Sequence, residues 1–213
     1  SIIRVIVLSK LWIEGRQRGH EGVVKINQST MDAVGSFQRA PDSDALWGVL
    51  HQNLANMGIN EIYYASGFCF PNQTMTEFIE NSIERTSYNP NYLEANFDQE
   101  ILDNDYFFQY CMANTKPLMW SEDSSKTFDS AQLKSLEVDW DFNYVTGVTI
   151  PSQFANGLGA TGIGLHASQM SWPEFDKVWA EHSVAIQSIA TAYDICVRER
   201  HIHQIYNLSP SET

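Results

Sequence analysis

The sequence is short of several things, and each shortage removes a class of function. Its three cysteines, Cys69, Cys111 and Cys196, stand far apart without metal-ligand spacing. Neither a disulfide framework nor a thiolate metal site is expected, and a reducing cytoplasm suits such a set. Basic residues are scarce: 13 Lys and Arg face 26 Asp and Glu, for a formal net charge of −13. So acidic a chain repels phosphate backbones and should not bind nucleic acid by itself. No apolar run has the length of a membrane span, and no membrane partner is expected. The segment from Ile2 to Ile13 is broken by Arg4 and Lys10, and no small-residue cleavage site follows it, so it does not read as a signal peptide. Catalytic motifs are also wanting. Ser168 and Cys196 lack the G-x-S-x-G setting of an activated nucleophile, and Gly157-x-Gly159 lacks the remaining glycines and the lysine of a phosphate loop. His201 and His203, two apart on a helix, point to different faces and chelate poorly. An enzyme is not expected, nor is a cofactor or a metal.

Aromatic residues are plentiful, at 12% of 213 residues, and many cluster between Tyr88 and Trp120. Apolar surface there comes from Leu93, Phe97, Ile101, Phe107, Phe108, Met112 and Met119. Rings with polar tips come from Tyr88, Tyr92, Tyr106 and Trp120. Asp105 sits just before the run Tyr106-Phe107-Phe108. A carboxylate beside such rings is costly unless hydrogen-bond donors reach it. Two readings are open: Asp105 is a helix cap or first-turn acid, or it accepts a bond from a ligand.

The rest of the chain reads as alternating helices and strands. Asp42 caps a helix carrying Leu46, Val49, Leu50 and Leu54, which stops at Met57-Gly58. Ile59 to Phe70 is a strand with Ile62, Tyr64, Ser66 and Phe68 on one face. Thr74-x-x-Glu77 opens a short helix, and a second strand lies near Ile83 to Tyr88. Helices are expected from Pro90 to about Ile101, from Asp103 to about Ala113, and from Ser130 to Val138. Strands are expected at Leu118–Trp120, at Tyr144–Ile150, and at Gly157–Ala167, where spaced glycines allow close backbone approach. The longest helix runs from Trp172 to about Tyr206, opened by Ser171-x-x-Glu174 with Pro173. Its apolar stripe thins past Val197, leaving only Ile202 and Ile205.

Residues 1–41 form an N-terminal extension of unknown role. Five basic residues against two acidic ones give its first 27 positions a net +3, leaving −16 for the remainder. It is either a mobile extension or an added strand or arm that packs on a partner subunit.

Three blocks carry a resemblance. Tyr92-x3-Asn96-x8-Asp105-Tyr106-x13-Trp120 resembles the W-x3-Y-x8-D-P-x13-W pattern of the autoinducer-binding domain of LuxR-type quorum-sensing regulators. Gly147-Val148-Thr149-Ile150-Pro151 with Phe154-Ala155-Asn156-Gly157 is similar to that family's G-[IV]-T-[IL]-P…[AP]-N-G segment. Leu208-Ser209-Pro210-Ser211-Glu212 looks like the opening of its helix-turn-helix domain. The resemblance implies an α+β fold: an α/β/α sandwich, PAS/GAF-like, around one antiparallel sheet of about five strands. It implies a sensor at 42–200, followed at 201–213 by a linker and the start of a truncated helix-turn-helix domain.

The implied ligand is an acyl-homoserine lactone or a related small amphiphile, whose amide N–H Asp105 accepts. The implied ligand-binding set is Tyr64, Ser66, Tyr88, Tyr92, Asn96, Phe97, Asp105, Phe107, Phe108, Trp120 and Val148. A homodimer in the bacterial cytoplasm is implied, touching DNA only through the domain that follows. The pattern departs where Tyr92 replaces the family's tryptophan, Asn96 its tyrosine and Tyr106 its proline. A truncated regulator that blocks a full-length homologue, an orphan receptor for another signal, and a signal-degrading enzyme remain as alternatives.

Overall fold

The computed structural model describes residues 28–96, 99–120 and 128–201. Phe97, the first 27 residues, and the tail with Ile202, Ile205 and the Leu208–Glu212 block lie outside them.

Helix α1 spans Gln28–Arg39 and α2 spans Ser43–Ala55, with Asp42 accepting from the N–H of Ala45 at 2.8 Å as its N-cap. Strand β1 (Glu61–Phe68) leads to α3 (Met75–Glu80), which opens on the Thr74/Glu77 capping box. Next come β2 (Ile83–Thr86), α4 (Pro90–Asn96), α5 (Gln99–Asp103) and α6 (Tyr106–Ala113). The single helix expected over 90–101 is thus two. The one expected from Asp103 begins later, at Tyr106, with Asp105 as its cap. Strand β3 (Leu118–Trp120) and α7 (Ser130–Asp141) follow. Strand β4 (Gly147–Phe154) turns through Ala155–Gly157 into β5 (Gly159–His166), and α8 (Trp172–Arg200) closes the described chain. Glu174 accepts from the Ser171 N–H at 2.8 Å, fixing where α8 starts.

Among the described residues the strands form one five-stranded sheet in the order β2-β1-β5-β4-β3, and every neighbouring pair is antiparallel. Helices α1, α2 and α8 pack together on one face, and α3 to α7 lie on the other. The α/β/α architecture expected from the resemblance is the one found. Because both faces are covered, the central strands β1, β4 and β5 are buried on both sides over most of their length. Ile62, Tyr64, Val148, Ile150, Ile163 and Leu165 meet Phe175, Ile186, Ile189 and Tyr193 of α8 in the main core. Tyr63 and Ala65, one position over, face the opposite layer.

Helix α1 belongs to that main core. Ala33, Phe37 and Ala40 are buried in it, and the Phe37 ring stands edge-on to Tyr193 with centroids 6.0 Å apart. Arg200 of α8 donates to the Ala40 carbonyl at the end of α1. The part of the N-terminal extension that the structure describes is therefore a packed helix on the α8 side.

Candidate ligand-binding site

Between the sheet and the helices α3 to α7 lies a cavity of about 80 Å³. The sheet supplies Tyr63, Thr149, Gly162 and Gly164 as its floor. Its walls are Tyr88, Tyr92 and Asn96 from the β2–α4 segment, Asp105, Phe107, Phe108 and Cys111 around α6, Trp120 from β3, and Asp139 and Tyr144 from α7 and just beyond. Glycine at 164 is needed there, because a Cβ on it would lie 2.9 Å from the Tyr88 hydroxyl.

Seven of the residues expected from the resemblance meet in this cavity: Tyr88, Tyr92, Asn96, Asp105, Phe107, Phe108 and Trp120. Tyr64, Ser66 and Val148 do not, and their placement is a correction. All three lie on the α8 face of the sheet. The Tyr64 hydroxyl donates to Asp194 at 3.1 Å, the Ser66 and Thr161 hydroxyls share a 2.7 Å bond, and Val148 packs in the main core. The reason is strand alternation: the cavity-facing neighbours are Tyr63 and Thr149, one residue away in each strand. The motif in β4 marked the right strand, and its threonine was the available signal. Asp139 and Tyr144 were also missed. Asp139 lies four residues after buried Ser135 on α7, and an acid on an inward helical face is a signal that spacing alone makes faint.

The polar groups divide unevenly into donors and acceptors. Asp105 is 6% exposed, and its Oδ1 accepts from the backbone N–H groups of Phe107 (2.8 Å) and Phe108 (3.1 Å), so it is a helix cap. Its Oδ2 has no donor among the described residues. The Tyr92 hydroxyl donates to Asp139 Oδ1 at 2.7 Å and accepts from Asn96 Nδ2 at 3.3 Å. Tyr92 therefore spends its one donor on the protein. Trp120 does likewise, its indole N–H donating to Thr149 Oγ1 at 2.8 Å. Asn96 Oδ1 is buried without a partner. Tyr144 accepts from the Asn89 N–H at 2.9 Å and donates to Glu61 at 3.1 Å, and Glu61 also meets His166 Nδ1 at 2.7 Å.

Burial dominates the titration of the site. It pushes the Asp105 carboxyl up to about 6, against the pull of the two backbone N–H bonds. Burial and then the charge of Asp105 raise Asp139 well above the ordinary carboxyl range, against the hydrogen bond from Tyr92. Burial, reinforced by Asp105, lifts the Cys111 thiol to about 12, which leaves it inert as a nucleophile at neutral pH. His166 is lowered by burial despite Glu61, so their contact at neutral pH is a hydrogen bond from a neutral ring. Among the described residues no group of three or more His, Cys, Asp or Glu is arranged to hold a metal. No described helix is long and apolar enough to cross a membrane. The arrangement suits holding a small molecule that brings donors of its own.

Behind Trp120 a second hollow of about 760 Å³ shares Phe107, Trp120 and Tyr144 with the cavity and is lined further by Phe128, Trp140, Met170 and Trp172. Those three shared rings are the partition between the two spaces.

Residues 42–194 match the family model described as the autoinducer binding domain. No curated protein sequence matches the chain. Among solved structures it is similar to CepR2 of Burkholderia cenocepacia, described as an N-acylhomoserine lactone dependent LuxR family transcription factor, at 12% identity and a TM-score of 0.62. That match covers 80% of this chain and 94% of the other. It is also similar to Escherichia coli SdiA, at 14% identity and a TM-score of 0.59 over 80% and 68% of the two chains. SdiA in complex with octanoyl-rac-glycerol gives 11% identity and a TM-score of 0.58 over 79% and 67%. At these identities the likeness speaks for the fold, and the family match covers most of the sequence. The chain belongs to the autoinducer-binding domain family, the signal-sensing module of LuxR-type regulators.

Proposed function

We propose that this domain binds an acyl-homoserine lactone or a related small amphiphile, and that ligand occupancy controls dimerisation and, through a helix-turn-helix domain, DNA binding. The observation that carries the reading is Asp105. One of its oxygens is fixed by two backbone N–H groups, and the other has no donor among the described residues in an aromatic-walled cavity. A ligand N–H is the missing donor, and a hydrogen bond to a charged acceptor contributes roughly 1.5–3 kcal/mol. An acyl chain adds about 0.8 kcal/mol per buried methylene. The cavity of about 80 Å³ is well below the roughly 300–1,000 Å³ of common ligand sites. A whole acyl chain therefore needs the rings of Phe107 or Phe108 to swing aside, or the partition at Trp120 to open.

Thermal or chemical unfolding with a panel of acyl-homoserine lactones of increasing chain length tests this. Saturating ligand at ~100 Kd adds about 2.7 kcal/mol of stability. A melt that no lactone and no solvent-extracted small molecule shifts would remove the reading.

A further inference from the structure

Three acceptors that face the cavity go without a donor from the described residues. Asp105 Oδ2 and Asp139 Oδ2 receive no hydrogen bond among the described residues, and Asn96 Oδ1 is buried without one. All three residues are more than nine-tenths buried, and all three line the same small space. No described Lys or Arg stands in salt-bridge reach of either carboxylate, whereas the buried acid on the other face of the sheet, Asp194, has Arg198. Buried charge without a counter-charge is costly, so two carboxyls in one small space can ionise together only if a cation joins them. A neutral amide brings one N–H, which satisfies Asp105 and leaves Asp139 and Asn96 as they were. A primary ammonium brings three donors and the missing positive charge. The rings of Tyr88, Tyr92 and Tyr144 border the same space and pack on one another. The chain's net charge of −13 draws cations toward it.

We propose that the signal held in this cavity carries a primary ammonium group, bound jointly by Asp105, Asp139 and Asn96. This rests on the small-molecule reading above and narrows its ligand class from neutral lactones to amine-headed amphiphiles. Asp139 is the added anchor. In the absence of a cation, the two carboxyls hold a proton between them at neutral pH, since like charges in one buried space cannot both ionise freely. Binding of an ammonium releases that proton to solvent, and both carboxylates then face the cation. A quaternary ammonium carries the charge without the donors.

The test uses the full 213-residue chain and matched probes: n-alkylamines of four to eight carbons, the n-alcohols of equal length, the trimethylalkylammonium salts, and acyl-homoserine lactones. Affinities are measured by calorimetry in two buffers of different ionisation enthalpy. The expected result is alkylammonium binding about tenfold or more tighter than the matched alcohol. The trimethyl compounds fall to the alcohol level, and about one proton is released per amine bound. Asp139→Asn keeps an acceptor for Tyr92 and should close the amine–alcohol gap. Should that variant fail to fold, proton release by the unaltered chain decides the matter alone. A lactone that binds while amines gain nothing over alcohols overturns the inference and leaves the proposed function standing. Failure of amines, alcohols and lactones alike to bind overturns both.

Discussion

Asp105 caps α6 with one oxygen and faces the cavity with the other, and the two roles pull its energetics apart. Tyr63, Tyr88, Tyr92, Cys111 and Asp139 surround it, and among the described residues no cation does. Its carboxyl rises from an ordinary 3.8 to about 6 through burial. The folded chain therefore binds this proton more tightly than the unfolded one. The stabilisation is fully present below 3.8 and is lost as pH rises through about 6. Its size is on the order of 2–3 kcal/mol. Asp105→Asn keeps a side-chain oxygen for the cap, since Asn and Asp are equivalent there, and removes the buried charge. Without ligand, the variant should gain stability over the wild type as pH rises from 4 to 7.5, while its ligand affinity falls. Urea denaturation of both proteins across that range measures the difference, and a constant difference would contradict a buried ionising Asp105. Much of this site was legible in sequence because spacing fixes which residues share a segment. Asp105, Tyr92, Asn96 and Trp120 follow from the resemblance of that spacing to the family's pattern. Tyr64, Ser66 and Val148 were misplaced because β1 and β4 are buried on both faces. With helices covering both sides of the sheet, hydrophobicity gives no vote on which face meets the cavity.

At the scale of elements, the misplaced residues show how α8 is fastened to the sheet. Asp194 of α8 is 1% exposed and accepts from the Tyr64 hydroxyl (3.1 Å), the Thr161 hydroxyl (2.8 Å) and the Arg198 guanidinium (2.9 Å). Ser66 joins through Thr161. Strands β1 and β5 thus tie directly to one carboxylate on the helix. Asp194→Ala should cost about 3–5 kcal/mol, because it strands a buried phenol and a partly buried guanidinium. Ser66→Ala should cost only about 1 kcal/mol. Denaturant midpoints of the two variants give the ranking, and equal losses would mean that the network is not centred on Asp194. Strands and capped helices were readable here because Asp42, Thr74 and Ser171 announce helix starts and alternation announces strands. Helix α1 was not readable. Its stretch QSTMDAVGSFQR holds few large apolar residues and an internal Gly35, and its burial depends on a partner helix more than a hundred and thirty residues later. The division between α4 and α5 was equally hidden, since Pro90 to Ile101 carries no internal Gly or Pro to announce a break.

The whole molecule is organised around α8, and α1 completes its burial. The inner stripe of α8 is taken by the sheet, α1 and α2, so a partner subunit can meet only its outer side, where Val184 and Thr191 are exposed. For the proposed dimer, light scattering should give twice 24.2 kDa, and Val184→Glu should return it to one chain's mass. A stable dimer in that variant would move the interface away from α8. The same packing sets where the domain can be cut. The family match begins at residue 42, downstream of α1. A chain starting there loses Phe37, which is fully buried, together with Ala33 and Ala40 and the ring contact to Tyr193. Loss of a buried Phe side chain alone costs about 3–5 kcal/mol. A domain of this size has only about 5–15 kcal/mol to lose. The chain from residue 42 should therefore unfold at a clearly lower urea concentration than the chain from residue 28, with α8 apolar surface exposed and prone to self-association. Equal midpoints for the two would show that α1 lies on the core without holding it together. A lower midpoint accompanied by new, concentration-dependent oligomers would show that α1 does both, stabilising α8 and keeping its inner stripe from a second chain.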